Sequence, residues 1–219
     1  MKNKIVLPGE AVSRIKDGDT LMVGGLYSLG EPQILIDEII RQGIKDLTVI
    51  NVVLGKPDSA LGRLIYSGNV KKLIVSFCGY MTDLPELEKE GKLEIELNPE
   101  GTFAERVRAG GFGLGGVLTP TGLGTYIEEK GIGQRVTING EDFLYHTPLN
   151  ANVTLVQAYA ADEAGNLVFH GTQKNVCDMM CFASKTVIAS VATPIKRAGE
   201  LDPDNIHVPG AFVDMLVQE

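Results

Sequence analysis

The chain has 219 residues, 44% of them hydrophobic and 22% charged, with a formal net charge of -8. That length supports one substantial domain with a real core, and the acidic balance argues against nucleic acid, whose phosphates are met by clustered Lys and Arg. No apolar run approaches the roughly 18 to 20 residues of a membrane helix, Met1 to Gly9 lacks the apolar core of a signal peptide, and three cysteines make no disulfide framework, so a cytoplasmic chain with no membrane partner is expected.

Thr20 to Val23 reads as a strand ended by Gly24 and Gly25. Pro32 to Arg41 follows as a helix, because Leu35, Ile36, Ile39 and Ile40 recur at helical spacing and Gly43 stops it. Leu47 to Val53 is apolar on both faces, as a central parallel strand must be. A helix over 59–67, a strand over 72–78, a helix over 84–90, a strand over 93–97 and a helix over 102–109 continue the alternation. That rhythm predicts an α/β fold, a mostly parallel sheet with helices on both faces.

After residue 110 the texture changes. Seven glycines fall within the sixteen residues from Gly110 to Thr125. Arg135 to Tyr145 reads as a hairpin turning at Asn139-Gly140. Strands over 153–160 and 167–170 flank the turn from Asp162 to Asn166, then come a helix near 176–184 and strands near 186–191 and 208–214. The expectation is a single domain, 1–219, whose parallel sheet carries an antiparallel extension.

Three segments could carry chemistry. From Asp17 to Pro32 a strand runs through Gly24, Gly25 and Gly30 into a helix opened by Glu31-Pro32. Glycines let a ligand approach the backbone and helix N-termini favour anions; the alternative is a tight βα turn that binds nothing. Gly111, Gly113 and Gly116 satisfy a formal G-x-G-x-x-G, but the motif follows a helix instead of a strand, and no acidic residue sits where a dinucleotide site needs one. A nicotinamide cofactor is therefore not expected. Third, a strand ends at Leu97, and Glu100-Gly101 follow where parallel sheets place their ligand crevice; Glu100 is either part of that site or a solvated loop residue that favours the helix dipole. His146, His170 and His207 show no ligand spacing, and Cys177 and Cys181 read as buried small hydrophobes, so no metal is expected.

The first and third segments resemble the α subunit of family I coenzyme A transferases. The family signature, acidic-Gly, three apolar residues, Gly-Gly-Phe, then Gly-x-Pro, is matched by Asp17-Gly18, Leu21 to Val23, Gly24-Gly25, Gly30 and Pro32, with Leu26 in place of Phe. Pro99-Glu-Gly-Thr102, Glu105-Arg106, Arg108 to Gly111, Thr119 to Thr125 and Ala161 to Asn166 follow in the family's order.

The resemblance implies a CoA-transferase-like fold and a ping-pong exchange of CoA between an acyl-CoA and a carboxylic acid, with CoA as substrate and no cofactor. The family's nucleophile is a glutamate of the β half, in a Ser-Glu-Asn-Gly-like segment that this sequence lacks, so a separate β subunit supplying the catalytic Glu, in an α2β2 assembly, is implied. The α half then contributes cleft walls: Gly24, Gly25, Gly30, Glu31, Asn51, Val52, Val53 and Gly101. Glu100 stands where the family has a Gln whose amide serves the oxyanion hole. Glu100 is either kept protonated, and so a donor, or recognises a donor on the substrate. Val52, Val53 and Leu54 replace more polar residues, which either favours a short aliphatic acyl tail such as butyryl or simply extends the buried strand. The rival is a non-catalytic ligand-binding or sensor domain on the same fold.

Overall fold

The computed structural model describes residues 3–219. In chain order the elements are α1 (Pro8–Val12), β1 (Thr20–Val23), α2 (Gln33–Gln42), β2 (Leu47–Ile50), α3 (Ala60–Tyr66), β3 (Val70–Val75), α4 (Leu84–Lys89), β4 (Glu94–Leu97) and α5 (Glu100–Gly111). They continue as β5 (Val117–Thr119), α6 (Tyr126–Glu129), β6 (Gln134–Ile138), β7 (Glu141–His146), β8 (Ala151–Ala158), β9 (Ala160–Ala161), β10 (Leu167–Val168), α7 (Cys177–Phe182), β11 (Ser184–Val191) and β12 (Met215–Gln218).

Seven strands form one sheet in the order β12-β11-β8-β1-β2-β3-β4, and every neighbouring pair is parallel. Successive side chains of a strand face opposite layers. On β1, Leu21 and Val23 join the core built with α1, α2, α3 and α4, whereas Met22 joins the one built with α5 and α7. Burial on both faces is what the continuous apolar runs encode. Local signals close the elements: Gly43 takes a left-handed φ of 69° and its N–H bonds back to Ile39 and Ile40, and Ser59 caps α3 by accepting from the Gly62 N–H at 3.1 Å.

Some element bounds need correction, but a mostly parallel sheet with helices and an added antiparallel part is as expected: β8, β11 and β12 extend the parallel sheet, and the antiparallel part is a three-stranded sheet, β5-β7-β6, plus the β9-β10 pair. Its hairpin turns at Asn139 and Gly140, with φ of 53° and 83°. The strand expected near 208–214 is instead a turn of tighter helix at Gly210–Phe212, and the strand begins at Met215. Pro209 has no N–H for a ladder, which pushes pairing downstream. The third strand starts at Val70 and ends at Val75 rather than running over 72–78. Helix α5 starts two residues earlier than expected and takes in Gly110 and Gly111.

Strand β1 lies between β2 and β8, and the chain order runs outward from it both ways. That reversal defines a crevice beyond the C-terminal ends of the strands, where open parallel sheets place ligands.

Candidate active site

The glycine loop after β1 is built from inside. Gly24 and Gly25 are buried. A Cβ on Gly24 would lie 2.9 Å from Cys177 Sγ, and one on Gly25, at φ 112°, would lie 2.8 Å from Glu31 Cγ. A Cβ on Gly30, at φ 72°, would lie 2.9 Å from Gln173 Cγ. The close approach these glycines permit is by the protein's own side chains. Glu31 is 2% exposed and accepts from the Leu61 N–H at 3.2 Å, serving the start of α3. Burial pushes its carboxyl above the ordinary carboxylate range, against the lowering pull of hydrogen bonds from Leu61, Ser59 and Ala60.

Asn51, fully buried at the end of β2, donates through Nδ2 to the Val23 carbonyl at 2.8 Å and the Gly25 carbonyl at 3.2 Å. Its Oδ1 has no partner. Val52 and Val53 are only 2% and 3% exposed and pack with Ile50, Ile74 and Phe103. Their side chains belong to the core, which removes them as a solvent-facing wall in this chain.

The outer surface above these strands is aromatic. Leu26 and Leu29 exchange N–H···O bonds of 3.0 and 2.9 Å around Tyr27 and Ser28, whose φ angles are 52° and 71°. Two left-handed non-glycine residues in succession cost about 1–3 kcal/mol each. The turn is held by Ser28 Oγ, which accepts from the Lys56 N–H at 3.0 Å. Tyr27 thereby meets Phe77 and Tyr80, with ring centroids 5.7 to 6.2 Å apart pairwise. All three rings remain about half exposed. Sequence reasoning missed this group. Residue 27 follows the predicted end of β1, but residue 77 falls inside the strand expected over 72–78, so the sequence did not bring the two together; Gly79 leaves room for the Phe77 ring.

The junction of β4 and α5 is the second part. Arg106, buried on α5, donates to Glu96 Oε1 at 2.8 Å, Asn98 Oδ1 at 2.6 Å and the Thr147 carbonyl at 2.8 Å. Burial raises the Glu96 carboxyl, but the Arg106 and Asn98 hydrogen bonds outweigh it and leave the group below its ordinary value. This network fixes the segment that delivers Glu100, which is solvent-exposed as the first residue of α5. Nothing lies within 4 Å of where a Cβ on Gly101 would sit. The opening continues into a cleft of about 410 Å³ lined by Pro99, Gly101, Thr102, Glu105, Leu118 and Thr121, among others. The first N–H groups of a 12-residue helix point out here, a setting that favours anionic oxygen. Glu100 and the glycine loop are three strands apart across the sheet, roughly 14 Å at the usual strand spacing.

Other candidates resolve as follows. Gly111, Gly113 and Gly116 lead from α5 toward β5, a helix-to-strand passage. Cys177 and Cys181 are buried, and burial pushes the Cys177 thiol up to about 12, which denies it a nucleophile's thiolate. His170 and His207 line one cleft of about 290 Å³ with Tyr159 and Lys196, while His146 is fully buried elsewhere. Among the described residues no group of three or more His, Cys, Asp or Glu could hold a metal ion, and no helix is long and apolar enough to cross a membrane.

Comparison with known proteins bears on this arrangement. The family model described as Coenzyme A transferase matches residues 7–219. The chain is 42% identical over 219 residues to the acetoacetyl-CoA:acetate/butyrate CoA transferase alpha subunit of Clostridium acetobutylicum, covering 100% of this chain and 99% of that one. It is 35% identical over 217 residues to the alpha subunit of the acetate CoA-transferase of Escherichia coli K12, covering 99% and 97%. The solved acyl-CoA transferase of Escherichia coli O157:H7 superposes with a TM-score of 0.87 at 19% identity, over 99% of this chain and 47% of that one. The chain thus spans about half the length of that solved polypeptide.

Proposed function

The chain belongs to the coenzyme A transferase family, and on that premise we propose that it is the α half of an enzyme moving CoA between a short-chain acyl-CoA and a carboxylic acid. In this reading the nucleophile is a glutamate carboxylate of a separate β subunit, which attacks the thioester carbonyl. The C–S bond breaks and CoA thiolate leaves, giving a mixed anhydride. The thiolate then attacks the glutamyl carbonyl and releases the first acid, and the incoming acid takes CoA by the same steps reversed. CoA is substrate throughout, and dividing one hard displacement into easier ones is the logic of covalent catalysis.

The observation that carries the reading is the β4–α5 junction. Gly101 leaves the first turn of α5 open to a cleft, and a glycine in a helix costs about 1 kcal/mol relative to alanine. No internal contact requires it there, and the open space leaves room for a group from outside the chain. Helix N–H groups at that place suit a thioester oxygen gaining negative charge. Glu100 is exposed on the same turn. We read its carboxylate as an acceptor for a donor group on the substrate. Gly24, Gly25, Gly30, Glu31 and Asn51 serve from beneath by fixing the loops, and the assembly is α2β2 and cytoplasmic.

The test is co-expression with a partner chain that carries a Ser-Glu-Asn-Gly-like segment, followed by CoA exchange assays on the purified complex and on this chain alone. Exchange by the complex only is expected. Robust exchange by the isolated chain would overturn the division of labour, and binding of acyl-CoA without exchange would favour a ligand-binding domain.

A further inference from the structure

We propose that Tyr27, Phe77 and Tyr80 form the surface that receives the hydrocarbon tail of the acyl group and so set chain-length preference; this rests on the transferase reading above. The rings stand directly beyond the sheet's central strands, because isolated bridges from Leu26 to Val53 and from Val53 to Phe77 carry the β1-β2-β3 order past the strand ends. Phe77 follows β3, and Glu100 follows its neighbour β4. The first turn of α5 is therefore one strand spacing, about 5 Å between backbones, from the segment that carries Phe77, the nearest of the three rings to an acyl carbonyl held there.

The group is built at a cost. Tyr27 and Ser28 both hold left-handed backbone in a two-residue turn that would suit Asn-Gly. Ser28 is tied to Lys56, Gly55 is the residue Ser28 packs against, and Gly79 admits the Phe77 ring. Four positions thus cooperate to hold three rings together in solvent, Tyr80 edge-on to the other two, at 48%, 43% and 56% exposure for Tyr27, Phe77 and Tyr80.

The size of the patch selects the occupant. Aromatic side chains bury 150–250 Å² each when covered, so three half-exposed rings offer roughly 300 Å². One side of a stable protein interface needs about 800 Å². A short acyl chain fits the smaller figure. Val52 and Val53, which lie below, cannot meet it because they are already covered.

The experiment uses the reconstituted complex with acetyl-, butyryl- and hexanoyl-CoA. For the wild type, kcat/KM is expected to rise roughly fourfold per added methylene until the patch is filled. Phe77→Ala and Tyr27→Ala should flatten that slope, with hexanoyl-CoA losing about tenfold or more and acetyl-CoA changing less than twofold. Tyr80→Phe, which keeps the ring, should leave the slope intact. Calorimetric titration of the complex with hexanoate and acetate gives a readout free of turnover, in which hexanoate alone should weaken in the alanine variants. An equal loss for all three donors, or unchanged hexanoate binding, overturns the proposal. Dissociation of the complex in the alanine variants would assign the patch to the β chain instead and overturn it too. If the wild-type complex exchanges no CoA, the transferase reading fails and this assignment falls with it; exchange with an unaltered slope sinks the assignment alone.

Discussion

Arg106 reaches from α5 to Glu96 on β4 at 2.8 Å, and both side chains lie largely out of solvent. The same guanidinium holds Asn98 and the Thr147 carbonyl, so one residue ties the edge strand, the start of α5 and the segment after β7. Arg106→Met should leave Glu96 short of its main partner and cost about 3 kcal/mol in urea unfolding. Adding Glu96→Gln should recover part of that loss. Because the folded Glu96 carboxyl sits below its ordinary value of 4.5, its stabilisation is complete above pH 4.5 and drains away as pH falls through the lower folded value. The double variant should lack that component.

His146 is fully buried, and neither ring nitrogen has a hydrogen-bond partner. The Ile132 carbonyl approaches the ring outside good hydrogen-bond geometry. Burial first, and the Arg106 charge second, hold its proton affinity below the ordinary 6.5. The folded state therefore loses stability as pH drops below 6.5 toward the folded value. His146→Leu removes the orphaned nitrogens and should raise stability at pH 7 by about 1 kcal/mol. Thermal melts between pH 7.5 and 5.5 should show a shallower decline for the variant than for the wild type.

Glu31 has the opposite sign. Its buried carboxyl prefers the proton more than an unfolded one does, so its contribution improves as pH falls from neutral toward 4.5. Glu31→Gln keeps an oxygen to accept from Leu61 and discards the charge. The melting temperature of the variant relative to wild type should therefore be highest near pH 7.5 and drop back by pH 5. A constant difference across that range would show that the hydrogen bond to α3, and not the buried charge, governs the site.

Glu100→Gln puts an amide donor on the first turn of α5. One oxyanion donor is worth on the order of 100- to 1000-fold in rate, and an ionised carboxylate can only accept. In the reconstituted complex the variant should exchange CoA on simple aliphatic acids at least about tenfold faster than wild type, and discriminate less in favour of acids bearing an amine or other donor. Steady-state kinetics on butyrate and an amino-substituted analogue will decide. A slower variant, with a wild-type profile that falls as pH rises, would instead mark Glu100 as a donor in its protonated form.

The first half of the fold was readable because local and tertiary demands agree there. Leu35, Ile36 and Ile39 are buried at the spacing that announces α2, and Gly43 ends it where expected. Strand β12 was misplaced because Ala211 to Val217 is a nearly continuous apolar run, and nothing local says which four residues find a partner. Pairing of β8, β11 and β12 with the parallel sheet is a long-range choice that side-chain pattern alone does not express. At the site, Gly24 and Gly25 were visible but their reason was not. A glycine forced by Cys177 or Glu31 looks the same in sequence as one cleared for a ligand. Gly101 differs only in what is absent around it, and the Tyr27 turn lacks the Asn or Gly that marks such turns.

The sheet's centre has a consequence for synthesis. The Thr20 N–H bonds to Asn152 Oδ1 across 132 residues, and β1 has β8 as one of its two neighbours. At roughly 5–20 residues per second, β8 leaves the ribosome on the order of ten seconds after β1. Through that interval β1 to β4 can assemble with α2 to α4, but the innermost strand of the finished sheet is an open edge. The chain is thus most prone to pair with other nascent copies along the very strand that feeds its glycine loop.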